Sequence, residues 1–450
     1  MLGKSPSQEQ GNLFAPLLSD FINMAHPLVQ LAERIPWRDL ERSFEKYYSR
    51  VGQPSKPVRM MIGLLILKQL HNLGDETLMP EWVRDPYFQY FCGEAHFQHR
   101  PPCDPSDLVH FRKRIGTDGV KRILQLSIDL HSEKVAASTD VLADTTVQEK
   151  NITFPTDAKL HRKIIEKCNA IASDEGVKLR QSYKRTVKKL MRQQYNGHHP
   201  RRRKQAGKAR RHLKTIAGRQ VRDLDRKLSA DTRENYHDKF QLFNKVLNQS
   251  TTSKDKVYSL HEPDVACIAK GKAHKRYEFG SKVSIAVLPG CNIVVGALSF
   301  TGNPNDSRTL NDTLHQVKEF TGKEFKRVIV DRGYRGAKVT TDTEVVLPGT
   351  GKGLSDWQRR QQRKRCRSRA AIEPVIGHLK DDFRMRRNFL KGLLGDQINV
   401  MLAAAAFNFK SWLRECGLNR FLSALRSIIA TFSIIVRAST TNQHGLLASS

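Results

Sequence analysis

Two aspartates stand where a charge is costly unless something holds it. Asp144 lies inside the run VLADTT, and Asp331 directly follows Val328-Ile329-Val330. Both runs read as buried strands, where a carboxylate must be paired or must hold a metal. A third acid, Glu373, has Arg369 four residues before it and Lys380 seven after it. On an α-helix those offsets place the three side chains on one face. Three carboxylates suit Mg²⁺, a hard cation that takes oxygen ligands. Paired metal ions can activate a water or a 3′-hydroxyl and stabilise the leaving oxygen in phosphodiester chemistry. Rigid strands would fix two of the three carboxylates, and the adjacent Arg and Lys would hold a DNA backbone. Each acid taken singly also has a plain reading. An Asp at a strand end caps or turns the chain, and Glu373 with Arg369 is a surface pair of small worth.

The elements that must position these residues form a mixed α/β pattern. Residues 1 to 20 read as a flexible lead, and 25 to 135 as several short helices. Pro57 suits the first helical position before the apolar segment Met60 to Leu73. Pro105-Ser106-Asp107 offers a cap before a helix over Leu108 to Ile115. Residues 139 to 147 read as a strand. Strand patterns return at Glu278 to Leu288 and Asn292 to Phe300, joined at Pro289-Gly290 as a hairpin. Asp306 to Phe320 reads as a helix, Lys326 to Val330 and Thr343 to Leu347 as strands, and Arg367 to Lys380 and Gln397 to Leu413 as helices. Between the strand of Asp144 and the hairpin lies a long insertion, residues 150 to 256.

That insertion carries much of the charge. The chain has 450 residues and a formal charge of +32, with 77 Lys and Arg against 45 Asp and Glu. From Val177 to Arg222 there are 17 Lys or Arg and no Asp or Glu. Such a surplus repels itself unless a polyanion relieves it, and nucleic acid is the expected partner, charge alone not separating DNA from RNA. The run keeps an apolar seam (Leu179, Tyr183, Val187, Met191, then Leu213, Ala217, Val221, Leu224, Leu228) at helical spacing, broken at Gly197 to Pro200. It predicts a basic helical hairpin, with Arg201, Arg202, Arg203 and Lys204 as DNA contacts, followed by one amphipathic helix from Ser229 to Asn248. In the N-terminal helices, Arg112, Lys113 and Arg114 are candidate DNA contacts. The seven cysteines are odd in number and irregularly spaced, which points to a reducing compartment rather than a disulfide framework. No signal-peptide pattern begins the chain, and the apolar stretches, Ser427 to Val436 among them, are too short to span a bilayer.

The segments VLADTT, VIVDRGYRG and RSRAAIEPVIGHLK resemble the three signature regions of bacterial insertion-sequence DDE transposases. The third region of that family follows Tyr-x2-Arg-x3-Glu-x6-Lys; Arg369, Glu373 and Lys380 match it, while the Tyr position is Cys366. DPYFQYFCG and DPSDLVHFRKRIG resemble the helical domain that precedes the core in this family. The resemblance covers most of residues 40 to 410. It implies an RNase H-like mixed central sheet with flanking helices, a helical N-terminal DNA-binding domain (20–135), a catalytic domain (136–415) interrupted by the basic helical insertion (150–256) after the first strand, and a C-terminal tail (416–450). It implies cleavage at terminal inverted repeats and strand transfer into target DNA, by a homodimer on paired ends in the bacterial cytoplasm, at the nucleoid and away from membranes. Asp144, Asp331 and Glu373 are then catalytic residues and ligands of Mg²⁺, with Mn²⁺ as a substitute, and Arg369 and Lys380 position DNA. An inactive DNA-binding derivative and an RNase H-like nuclease without strand transfer are the alternatives.

Other signals are weaker. Cys92, His96, His99 and Cys103 match no common zinc spacing. Gly349 to Gly353 lacks the Ser or Thr of a phosphate loop. Asp306, in GNPNDSR, is a further acid near the core and reads as a helix cap, with Asp157 and Asp264 as loop residues.

Overall fold

The structure is a computed structural model that describes residues 15–269, 275–349 and 355–417, with Gly3 and Gly353. Among these, eight helices precede the first strand: α1 (Leu18–Phe21), α2 (Pro27–Arg34), α3 (Trp37–Phe44), α4 (Val58–Leu70), α5 (Asp75–Arg84), α6 (Pro86–Phe91), α7 (Pro105–Asp129) and α8 (Ser132–Ala137). Helix α4 is apolar all round and is accordingly buried on nearly every side. Its start corrects the sequence reading: Pro57 is the N-cap, and Val58 the first helical residue. The cap of α7 is Asp104, whose side chain accepts from Ser106 N, so Pro105 takes the first helical position. This helix does not end at Ile115. It kinks at Gly116, whose φ of 57° an L side chain rarely adopts, and runs on to Asp129. The lead is also shorter than expected, because Leu18 is buried and its N–H donates to Ala95 O.

The sheet is mixed. Its strands are β1 (Asp140–Lys150), β2 (Ala266–Ala269), β3 (Tyr277–Val287), β4 (Val294–Phe300), β5 (Arg327–Ile329), β6 (Glu344–Val346) and β7 (Arg387–Asn388). The order is β2-β3-β1-β5-β6, with β4 on β3 and β7 on β1. β3 runs antiparallel to β1, β2 and β4, whereas β5 and β6 run parallel to β1 and to each other. β1 extends three residues beyond the expected strand. β2 carries no apolar run long enough to have announced it.

Between β1 and β2 come α9 (Asp157–Asp174), α10 (Lys184–Gln193), α11 (Pro200–Lys227), α12 (Ala230–Asn235) and α13 (His237–Asn248). The α10–α11 pair is the expected basic hairpin. Asp157 is not a loop residue: it opens α9 behind the Thr156 cap. The single helix expected over Ser229 to Asn248 is two, divided at Tyr236. These helices have a core of their own, built on Ile164, Leu213, Ile216 and Phe243. The N-terminal helices and the sheet instead share one continuous core.

Four helices complete the arrangement: α14 (Asp306–Thr321), α15 (Asp356–Ser368), α16 (Ile372–Asp381) and α17 (392–417). The stretch expected as one helix from Arg367 to Lys380 is divided, with Arg369–Ala371 forming a 3₁₀ turn between α15 and α16. Residues 350–352 of the Gly349 to Gly353 stretch lie outside the described residues, as do 418–450, which include Ser427 to Val436 and most of the expected tail. No helix among the described residues is long and apolar enough to cross a membrane.

A candidate acidic site on the central strands

The register of the sheet sets two of the acids side by side. β1 and β5 are parallel, with Leu142 opposite Ile329. Asp144 and Asp331 each lie two residues beyond that last pair, Asp144 on β1 and Asp331 just past the end of β5. β5 pairs no further than Ile329. Asp331 itself caps a short 3₁₀ turn, its Oδ1 accepting from Gly333 N at 2.8 Å.

Glu373 joins the pair through a cation. The Arg369 guanidinium donates from Nη1 to Asp144 Oδ2 at 3.1 Å and from Nη2 to Glu373 Oε1 at 3.4 Å. The 3₁₀ turn turns Arg369 toward the sheet and leaves it four residues from Glu373, so the expected pairing holds although the helix is broken. Asp144 is sheltered, with 18% of its side chain exposed; Glu373 is open, at 66%. Lys380 lies half-buried in the last turn of α16.

The structure adds a fourth carboxylate that sequence reading misassigned. The cap of α14 is Asn305, whose side chain accepts from Ser307 N. Asp306 follows it, and its Oδ1 accepts from Thr145 Oγ1 and from Lys282 Nζ, both at 2.7 Å. Thr145 is the neighbour of Asp144 on β1, so Asp306 is tied to the strand that bears the first acid. Gly333 sits between this carboxylate and Asp331. A Cβ there would lie 2.9 Å from Asp306 Oδ2 and 3.0 Å from Asp331 Oδ1. Below them the Tyr334 phenol is fully buried. Burial first, and then the negative charges of Asp144, Asp306 and Asp331, push its pKa well above the ordinary value, so it stays protonated. One phenol thus senses all three aspartates.

The donor set is all carboxylate oxygen, which matches a hard divalent cation such as Mg²⁺. Among the described residues, no three acidic, His or Cys side chains are gathered closely enough to enclose a metal ion as they stand. Around Asp144 and Glu373 the guanidinium of Arg369 now supplies the positive charge.

The family comparisons cover both parts of the chain. Residues 16–114 match the model described as Transposase domain (DUF772), and residues 250–409 match that described as Transposase DDE domain. An uncharacterized protein of Rhizobium meliloti, ORF8 in the nfe locus, is 39% identical over 188 residues, 41% of this chain and 91% of that protein. The chain belongs to the DDE transposase family. No solved structure matches it.

In this transposase the expected DNA contacts are spread over separate places. Arg201, Arg202, Arg203 and Lys204 form the exposed first turn of α11. Lys113 is exposed, and Arg114 lies over the Tyr48 ring, 4.9 Å from its centroid. Arg112 is different. It is buried and forks onto Asp75 at 3.0 and 2.6 Å, so it lies in the wall of a cavity rather than on the open surface. Its place was readable: position 112 is four after Leu108, on the apolar stripe of α7. Cys366, where the family has Tyr, sits half-buried in α15 three residues before Arg369. Cys92 and Cys103 are buried thiols, each pushed up to about 12 chiefly by burial.

Proposed function

We propose that this transposase cuts DNA at the ends of its own element and joins the freed 3′-hydroxyl to target DNA, using Mg²⁺, with Mn²⁺ as a substitute. The observation that carries the reading is that Asp144, on β1, and Asp331, in the turn after the adjacent parallel β5, each lie two residues beyond the last paired residues of the two strands, with Glu373 tied to Asp144 by a single guanidinium. Asp144 and Asp331 would hold the metal and Glu373 would join them as ligand or general base. The bound metal would activate the attacking oxygen and stabilise the leaving one. The protein's own groups do the rest. Arg369, released from a carboxylate, would take a phosphate oxygen by a charge-assisted bond; Lys380 would position the strand. Asp306, held by Lys282 and Thr145, would fix the turn after β5 and so aim Asp331.

The strand order and mixed orientation support an RNase H-like core. On this reading residues 20–135 are a DNA-binding domain, 136–415 the catalytic domain, 150–256 its basic insertion and 416–450 a tail. The first turn of α11 supports backbone binding by the insertion. Arg201 to Lys204 crowd the positive end of a 28-residue helix that has no acidic residue in its first turn, an arrangement that a phosphate would stabilise. The partners on this reading are terminal inverted repeats and target DNA, bound by a homodimer on paired ends in the bacterial cytoplasm, at the nucleoid.

The test uses duplex DNA from the gene's own flanks, end-labelled, with an unlabelled supercoiled plasmid as target. Mg²⁺-dependent transfer of label into the plasmid is expected. Nicks without joined product would mean a nuclease, and binding without nicks an inactive derivative.

A further inference from the structure

A cavity of about 630 Å³ opens between α4, α5, α7 and the segment that runs from Arg384 into α17. Two cations lie in its wall and are almost fully buried: Lys68, 7% exposed, and Arg112, 4%. Both meet the same carboxylate. Lys68 Nζ is 2.7 Å from Asp75 Oδ1, and the Arg112 fork takes both Asp75 oxygens. Arg384 lines the same cavity and feels the field of Asp75, while its Nη1 donates to Asn72 O at 2.9 Å. Glu76 also lines the cavity, but so do Lys113 and Lys391, so five cations line it against two carboxylates, and buried charge needs a counter-charge. The strain shows on Lys68, whose pKa falls to about 8, through burial first and Arg112 second.

The other wall is apolar and open. Phe389 is 57% exposed, and Val109 and Leu394 are exposed beside it. Exposed apolar side chains around a pocket with a few convergent polar groups mark a ligand site. The cavity is also fastened to the strand of the acids. Lys150, at the far end of β1 from Asp144, donates from Nζ to Leu390 O at 2.9 Å. Six residues of strand set the two places about 20 Å apart, roughly six steps along a DNA strand.

We propose that this cavity binds a nucleotide, with Lys68, Arg112 and Arg384 taking the phosphate and Phe389 and Leu394 covering the base. The site is independent of the acidic one and goes beyond the cleavage reading. Its nucleotide comes either from a DNA strand led away from the acids or from free solution, and both present the same chemistry.

Titration calorimetry on the full chain with dAMP, inorganic phosphate and deoxyadenosine tests it. dAMP should bind at least about tenfold tighter than either fragment. Arg384→Gln and Phe389→Ala should each weaken dAMP by about tenfold or more, with melting midpoints within about 2 °C of wild type. Asp144→Asn should leave dAMP binding unchanged, which separates failure of this site from failure of the acidic one. A single-stranded decanucleotide that displaces dAMP, and loses this ability in Phe389→Ala, assigns the site to a DNA strand; a decanucleotide that does not compete assigns it to free nucleotide. Equal binding of dAMP and phosphate, or dAMP binding unchanged in both cavity variants, overturns the proposal.

Discussion

Arg369→Gln separates metal binding from DNA cleavage in opposite directions. The substitution keeps a polar side chain and removes the charge between two carboxylates. Its contact with Glu373 is 3.4 Å long and faces solvent, so it contributes less than about 1 kcal/mol. Its contact with Asp144 is 3.1 Å long, between side chains 23% and 18% exposed. A hydrogen bond to a charged group in such a place is worth about 1.5–3 kcal/mol. A divalent cation that takes Asp144 must displace this bond, whereas in Arg369→Gln it forfeits little. Taking about 1.4 kcal/mol as the difference, Mn²⁺ binding tightens about tenfold. Cleavage should fall about a hundredfold, because the charged donor to the phosphate is gone. Mn²⁺ binding is read by electron paramagnetic resonance on the full chain, with Asp144→Asn as the blank, and cleavage by nicking of flank DNA. Mn²⁺ binding no tighter than wild type would refute the reasoning, whatever happens to cleavage.

Three further outcomes follow from the geometry. Lys150 is 3% exposed between Glu262 at 3.2 Å and Asp396 at 2.9 Å; Lys150→Met strands two buried carboxylates and should cost about 3–5 kcal/mol in urea unfolding, a loss that Asp396→Asn in the same chain partly restores. Gly333→Ala drives a methyl against Asp306 and Asp331; nicking should drop at least about tenfold while unfolding changes by less than about 1 kcal/mol, and an unaltered rate would remove Gly333 from the site. Burial, and then the charge of Arg112, push the Lys68 ammonium down from its ordinary 10.5 to about 8, so the unfolded chain binds more protons between those pH values and stability rises with pH across them. The stability of wild type relative to Lys68→Met, measured by denaturant unfolding, should rise by about 2–3 kcal/mol from about pH 7.5 to about pH 10.5; a flat difference contradicts the assignment.

The strands of the acids were legible because both faces of the central sheet are buried, which leaves short apolar runs before Asp144 and before Asp331. The pairing of Arg369 with Glu373 was legible from their spacing of four, but spacing alone left it a surface pair; its link to Asp144 shows only in the fold. α15 was not, because none of its residues is buried and no apolar period marks it. Asp306 was misread because Asn305 and Asp306 are both good caps, and only the fold shows which one turns toward Lys282. Arg112 was read with its basic neighbours although its position on the stripe of α7 sends it inward. The Lys150, Glu262 and Asp396 cluster joins residues from three distant segments, so no local pattern could announce it.

The central claim is that Asp144 and its partners cut DNA. The most direct measurement is Mg²⁺-dependent nicking of a supercoiled plasmid carrying the gene's flanks, by wild type and by Asp144→Asn, with circular dichroism to show that both are folded. Nicking by wild type and a loss of at least about a hundredfold in the variant is the predicted result; undiminished nicking by folded Asp144→Asn would contradict it.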